Sequence, residues 1–186
     1  MLTRLYSWNI WAHLGLTAVA FGGFQLVKAR LDASYAASNH PVDYATGQLA
    51  FDAEKIEGYY ATMIEAGTLN VYWQTQFIDF GFIFSVMALS ALLGTLAGRS
   101  GRPGSLGRRI GVWAGLAGIA GASFDALENL LSFAMLARPS DIAPALAVLY
   151  SSAAAVKFAL LTLAMALVLV ALAAGLVSRL RAAPAA

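Results

Sequence analysis

Cysteine is absent. That excludes disulfides, thiolate metal sites, cysteine nucleophiles and haem attached through cysteine. Histidine is nearly absent. His13 falls early in an apolar run and His40 lies in a long loop, so the pair is poorly placed to ligate one metal or haem. No glycine-rich phosphate loop occurs, and Ser151-Ser152 have no base beside them. No metal and no cofactor is therefore expected. Charge is scarce as well: 12% of residues are charged and the net charge is +2. The basic residues are scattered by loop and do not form a patch of the kind that binds nucleic acid. Hydrophobic residues make up 60% of the chain and mean hydropathy is +0.70. A soluble domain of 186 residues needs more polar surface than this.

The apolar residues come in runs long enough to cross a bilayer, which takes about 20 residues. Four spans are expected, over about residues 5–27, 71–97, 110–137 and 143–177, in one all-α membrane domain. Arg4 followed by an apolar run containing Ala18-Val19-Ala20 imitates a signal peptide, but the run continues well beyond those alanines. Trp8 and Trp11 suit an interfacial belt. Orientation follows from the loops. The link between spans two and three carries Arg99, Arg102, Arg108 and Arg109 around a Pro103-Gly104 break, and Arg4, Arg179 and Arg181 fall on the same side. The opposite side holds Asp32, Asp43, Asp52, Glu54, Glu57 and Glu65 with few bases. Both termini are accordingly expected in the cytoplasm.

The outer loop, 29–70, is too long to be a simple connection. Its first half reads as irregular. Its second half spaces Phe51, Ile56, Tyr59, Tyr60, Met63 and Ile64 as on one amphipathic helix over about residues 49–66, stopped by Gly67. That helix is expected to lie over the outer ends of the spans. Gly111, Gly115, Gly118 and Gly121 give span three a small-residue face suited to close helix packing.

The informative residues are polar ones inside the spans: Asp79, Asp125, Glu128, Asn129 and Lys157. An ionisable group at mid-bilayer costs about 2.5–3.5 kcal/mol, so these groups must face inward and find partners. Asp125, Glu128 and Asn129 stand at i, i+3 and i+4, on one helix face that Ser132 extends. Thr75, Gln76 and Asp79 share a face of span two, with Tyr72 near it, and Tyr150 and Lys157 lie seven residues apart on span four. Counted from the outer ends, Asp79 and Glu128 come at a depth of about 12–15 Å, Asp125 at about 18 Å and Lys157 at about 21 Å. Convergence in an outward-opening polar chamber is expected. Three acids against one lysine would leave −2, so at least one acid is expected to carry a proton.

Three functions fit such a cluster. It can be an ion-pair and amide network in a structural or accessory membrane subunit. It can be a membrane enzyme working on a lipid or isoprenoid-like substrate, with Asp125, Glu128, Asp79 and Lys157 as catalytic residues. Or it can be a proton-coupled transporter. In the second and third cases Asn129, Gln76, Tyr72 and Tyr150 are the candidate ligand-binding residues. The expected partners are the bilayer, a lipid-like ligand, and other membrane subunits or a second copy.

The stretch Phe124-Asp125-Ala126-Leu127-Glu128-Asn129 resembles the FDxxEN motif of a family of bacterial four-span integral membrane proteins. Gly67 to Tyr72 followed by Asp79 looks like that family's lead-in to its second span. The family's arginine soon after the glycine is missing here, where Thr68 and Asn70 stand. The resemblance covers about half of the chain and implies these positions and a bacterial inner (plasma) membrane, with no activity attached.

Overall fold

The structure is a computed structural model that describes residues 2–180. Arg181, counted above among the bases that follow the fourth span, lies outside the described residues. A 3₁₀ turn, Leu2–Ser7, precedes α1 (Ile10–Ala37), α2 (Tyr44–Gln48), α3 (Ala53–Glu65), α4 (Leu69–Gly98), α5 (Leu106–Leu136) and α6 (Pro144–Leu180). No strand occurs among the described residues. The fold is all-α, with α1, α4, α5 and α6 long and apolar enough to cross a membrane. The burial pattern is that of a protein dissolved in lipid. Val19, Leu26, Phe84, Met165 and Leu169 are exposed, while Asp125, Glu128, Asn129 and Lys157 are buried. Water as solvent would drive the reverse.

The first long helix starts and ends later than expected. The Asn9 side chain accepts hydrogen bonds from the Trp11 and Ala12 amides at 2.8 and 3.4 Å, which caps a helix beginning at Ile10 and leaves residues 2–7 as a separate turn. Beyond residue 27 the helix continues through the Lys28–Asp32 pair, four residues apart, and stops near Asn39, whose φ of 56° is the left-handed conformation that ends helices. The stretch just after residue 28, expected as irregular, is thus helical.

The long connection forms two helices where one was expected. Asp43 caps α2, accepting from the Thr46 amide and hydroxyl at 3.0 and 2.8 Å. Those bonds hold its exposed carboxyl below the usual range. Asp52 caps α3 through the Lys55 amide at 3.3 Å, and Gly67, with φ 69°, stops it as expected. α3 buries Ile56, Tyr60 and Met63, one stripe at i, i+4 and i+7. Phe51 and Ile64, which the spacing had put on the same face, are exposed.

The chain divides into two compact units. One comprises, among the described residues, 2–24, 85–122 and 159–180. Its helices approach at glycine. A Cβ added to Gly111 would lie 2.5 Å from the Gly94 carbonyl oxygen and 2.7 Å from Gly98 Cα. The small-residue face of α5 therefore meets a Gly94-x-x-x-Gly98 pair on α4 that the sequence reading overlooked. Arg99 donates to the Leu5 and Trp8 carbonyls at 2.6 Å each and fastens the 3₁₀ turn, and Arg179 donates to the Ser100 carbonyl at 2.6 Å. His13 is fully buried with Nε2 3.1 Å from the Leu92 carbonyl, a structural contact.

The other unit comprises residues 25–84 and 123–158. Its core gathers Ile56, Tyr60 and Met63 of α3 with Tyr72, Met135, Leu136, Ile142, Ala147 and Tyr150. The connection is fixed by three long-range bonds: Phe51 N–H to Ser151 Oγ at 2.9 Å, Ile142 N–H to Glu57 Oε1 at 2.7 Å, and the Thr68 hydroxyl to the Ser38 carbonyl at 2.6 Å. This second unit holds every candidate site residue.

Candidate functional site

Lys157 on α6 is the centre of the arrangement. Its Nζ donates to Asp125 Oδ1 at 2.9 Å, to Glu128 Oε2, and to Gln48 Oε1 at 3.0 Å. An ammonium has three N–H donors, and here each has an acceptor. Asp125 and Glu128 reach it together because they are one helical turn apart on α5. All three side chains are closed off from the surface: relative exposure is 4% for Lys157, 4% for Asp125 and 1% for Glu128.

Asp79 on α4 is held differently. Its Oδ2 accepts from Asn129 Nδ2 at 2.7 Å. Among the described residues it forms no ion pair, whereas Lys157 pairs with both of the other acids. Asn129 is an interior residue at 1% exposure, because its place four residues after Asp125 keeps it on the buried face of α5. Its Oδ1 is buried and meets no donor among the described residues.

Tyr72 and Tyr150 face each other in the apolar core, close enough for Glu128 to act on both hydroxyls electrostatically. Gln76, four residues after Tyr72 on α4, is buried, and Thr75 bonds Ser34 at 2.7 Å. Ser132, one turn beyond Glu128, is fully buried near Tyr60. Burial pushes the Tyr60 phenol up, so it remains a neutral hydroxyl within electrostatic reach of Glu128. The structure thus brings Asp125, Glu128 and Lys157 into direct contact and joins Asp79 to Asn129 beside them. It places the tyrosines in the packing under α3.

Gln48 is the residue that sequence reasoning missed. It ends the five-residue α2, lies 109 positions from Lys157, and belongs to no periodic pattern. Only its amide chemistry, in a segment with few other polar groups free to reach inward, could have pointed to it. Ser151, dismissed as a nucleophile, proves to hold Phe51 in its left-handed conformation at φ 53°.

Chemically, the arrangement can do two things. The lysine with its three acceptors can tie α5, α6 and α2 together. The carboxyl of Asp79, neutralised by no cation, can hold or release a proton. Comparison with protein-family models, curated proteins and solved structures finds no match. The functional reading therefore rests on this geometry.

Proposed function

We propose that this chain is a structural or accessory subunit of the bacterial inner membrane, and that its Lys157 network is a clamp that sets the register of the helices. The observation that carries the reading is the saturation of Lys157. All three of its donors meet protein acceptors, and both of its acids are spent on it. A carboxylate acid–base pair acting on a lipid would need two carboxyls free of the lysine, and of the three acids only Asp79 is. Clamping by buried polar groups is a recognised use of such residues between membrane helices. The termini lie in the cytoplasm in this reading, because the arginine-bearing loops fall on one side. Reporter fusions after Arg102 and near His40 check that orientation, and a periplasmic Arg102 fusion would overturn it. The likeness of Phe124 to Asn129 to the FDxxEN motif supports the bacterial assignment.

A second reading, proton-coupled transport, is favoured by one observation: Asp79 is buried with an amide for a partner and no cation. Liposomes containing the purified chain and an internal pH-sensitive dye separate the two. Under an imposed potassium-diffusion potential, the clamp reading expects no proton flux above protein-free liposomes. Flux that disappears in Asp79→Asn, in protein that still inserts and stays folded, would replace the clamp with the transporter.

A further inference from the structure

The acidic residues are confined to one of the two units. All ten acidic residues lie within 25–84 and 123–158. The other unit contains Arg4, Arg99, Arg102, Arg108, Arg109 and Arg179 among its described residues, with no acid and no lysine. Some of these arginines are used by the fold. Arg99 and Arg179 donate to backbone carbonyls, and the Arg108 guanidinium lies 4.6 Å from the centre of the Tyr6 ring. Arg102 and Arg109 are exposed, with no side-chain partner among the described residues.

We infer that the turn between α4 and α5 binds the phosphate of an anionic phospholipid headgroup through Arg102 and Arg109. Four features of the turn support this. First, its basic residues are all arginine, whose planar fork of donors matches phosphate oxygens in pairs, as an ammonium does not. Second, Arg108 and Arg109 stand in the first turn of α5 with no acid there. That is the wrong sign for the partial positive charge of a helix N-terminus, and a bound anion offsets both. Third, Arg109 and Trp113 are four residues apart on one exposed face, Trp113 at 64%. A tryptophan one turn below an arginine matches the headgroup level of a bilayer, where the indole sits at the interface and the guanidinium above it. Fourth, the turn is tight: the Ser105 amide bonds the Arg102 carbonyl at 3.0 Å, and Gly104 takes φ 78°, so Arg102 and Arg109 flank one short bend. An anionic headgroup suits this surface better than a zwitterionic one, whose quaternary ammonium would meet only arginines.

The test uses the full chain in nanodiscs of phosphatidylcholine with phosphatidylglycerol, and bromine on the acyl chains of one lipid or the other. Quenching of Trp113 is isolated as the difference between wild type and Trp113→Phe. Brominated phosphatidylglycerol should quench it more than the same mole fraction of brominated phosphatidylcholine, with a preference of about fivefold per contributing arginine at low salt. The preference should fall as salt rises. Arg102→Gln/Arg109→Gln should abolish it, and Arg30→Gln/Lys55→Gln, in the other unit, should leave it intact. Circular dichroism checks that each variant stays folded, and because both arginines are exposed, folding should survive. Equal quenching by the two lipids in wild type, or an unchanged preference in the double variant, overturns the inference.

Discussion

Replacing Lys157 with methionine tests the clamp directly. The change keeps the length of the side chain and removes the cation that Asp125 and Glu128 share, leaving two carboxyls at 4% and 1% exposure with no counter-charge. Each stranded carboxyl can escape its burial penalty by taking a proton. From an ordinary value near 4, that costs about 4 kcal/mol at pH 7. Two acids therefore set a ceiling of about 8 kcal/mol, reduced because the lysine no longer has to be buried. Breaking a buried pair from one side costs about 3–5 kcal/mol in practice, which we take as the expected loss at pH 7. At pH 5 the same protonation costs only about 1.4 kcal/mol per acid, so most of the defect should disappear. The triple variant Lys157→Met/Asp125→Asn/Glu128→Gln should return to within about 1 kcal/mol of wild type, because no charge is left buried. Equilibrium unfolding in mixed micelles at the two pH values measures all of this. A loss below about 1 kcal/mol at pH 7, or a loss of the same size at pH 5, would refute the reasoning.

Three further outcomes are expected. Ser151→Ala removes the acceptor for the Phe51 amide and should cost about 1 kcal/mol, seen as faster limited proteolysis within residues 38–68. Gly111→Ala drives a Cβ against backbone of α4 and should cost about 1–3 kcal/mol in thermal or detergent unfolding, while Gly15→Ala, with open space around it, should be neutral or mildly stabilising. His40 is half-buried among Tyr35, Tyr59 and Tyr72, and burial lowers its pKa despite the bond to the Val42 carbonyl. The unfolded chain then binds the proton more tightly, so stability is complete above about pH 6.5 and declines as pH falls below it. His40→Phe should flatten that limb of the pH–stability curve, and an unchanged limb would assign it to other groups.

Much of the fold was legible because lipid makes simple demands. A backbone that must bond to itself across the bilayer has to be helical, and hydropathy then marks where. The spacing of Asp125, Glu128 and Asn129 was equally plain, since three polar residues within one turn share a face whatever else happens. The ends of α1 were harder. They depend on Asn9 accepting two amide bonds and on Asn39 adopting a positive φ, and many asparagines do neither. The 29–70 loop was legible only in its second half, because the apolar stripe of α3 is periodic and the five residues of α2 are too few to show a period.

The cluster was legible as a set of residues but not as two subsets. Depth and face place Asp79 beside Asp125 and Glu128, and nothing in the sequence says which acid the lysine will choose. The choice follows from helix geometry. Two acceptors one turn apart on α5 can both reach a single Nζ, and the third N–H is taken by neutral Gln48 instead of another carboxyl. A neutral third acceptor limits the excess negative charge around the lysine to one. It also leaves Asp79 to an amide whose other atom, Asn129 Oδ1, meets no donor among the described residues. The clamp accounts for Lys157, Asp125, Glu128 and Gln48 as one saturated unit. Asp79 is not needed for that unit, and so the choice between a passive membrane subunit and a proton-handling one comes down to that single carboxyl.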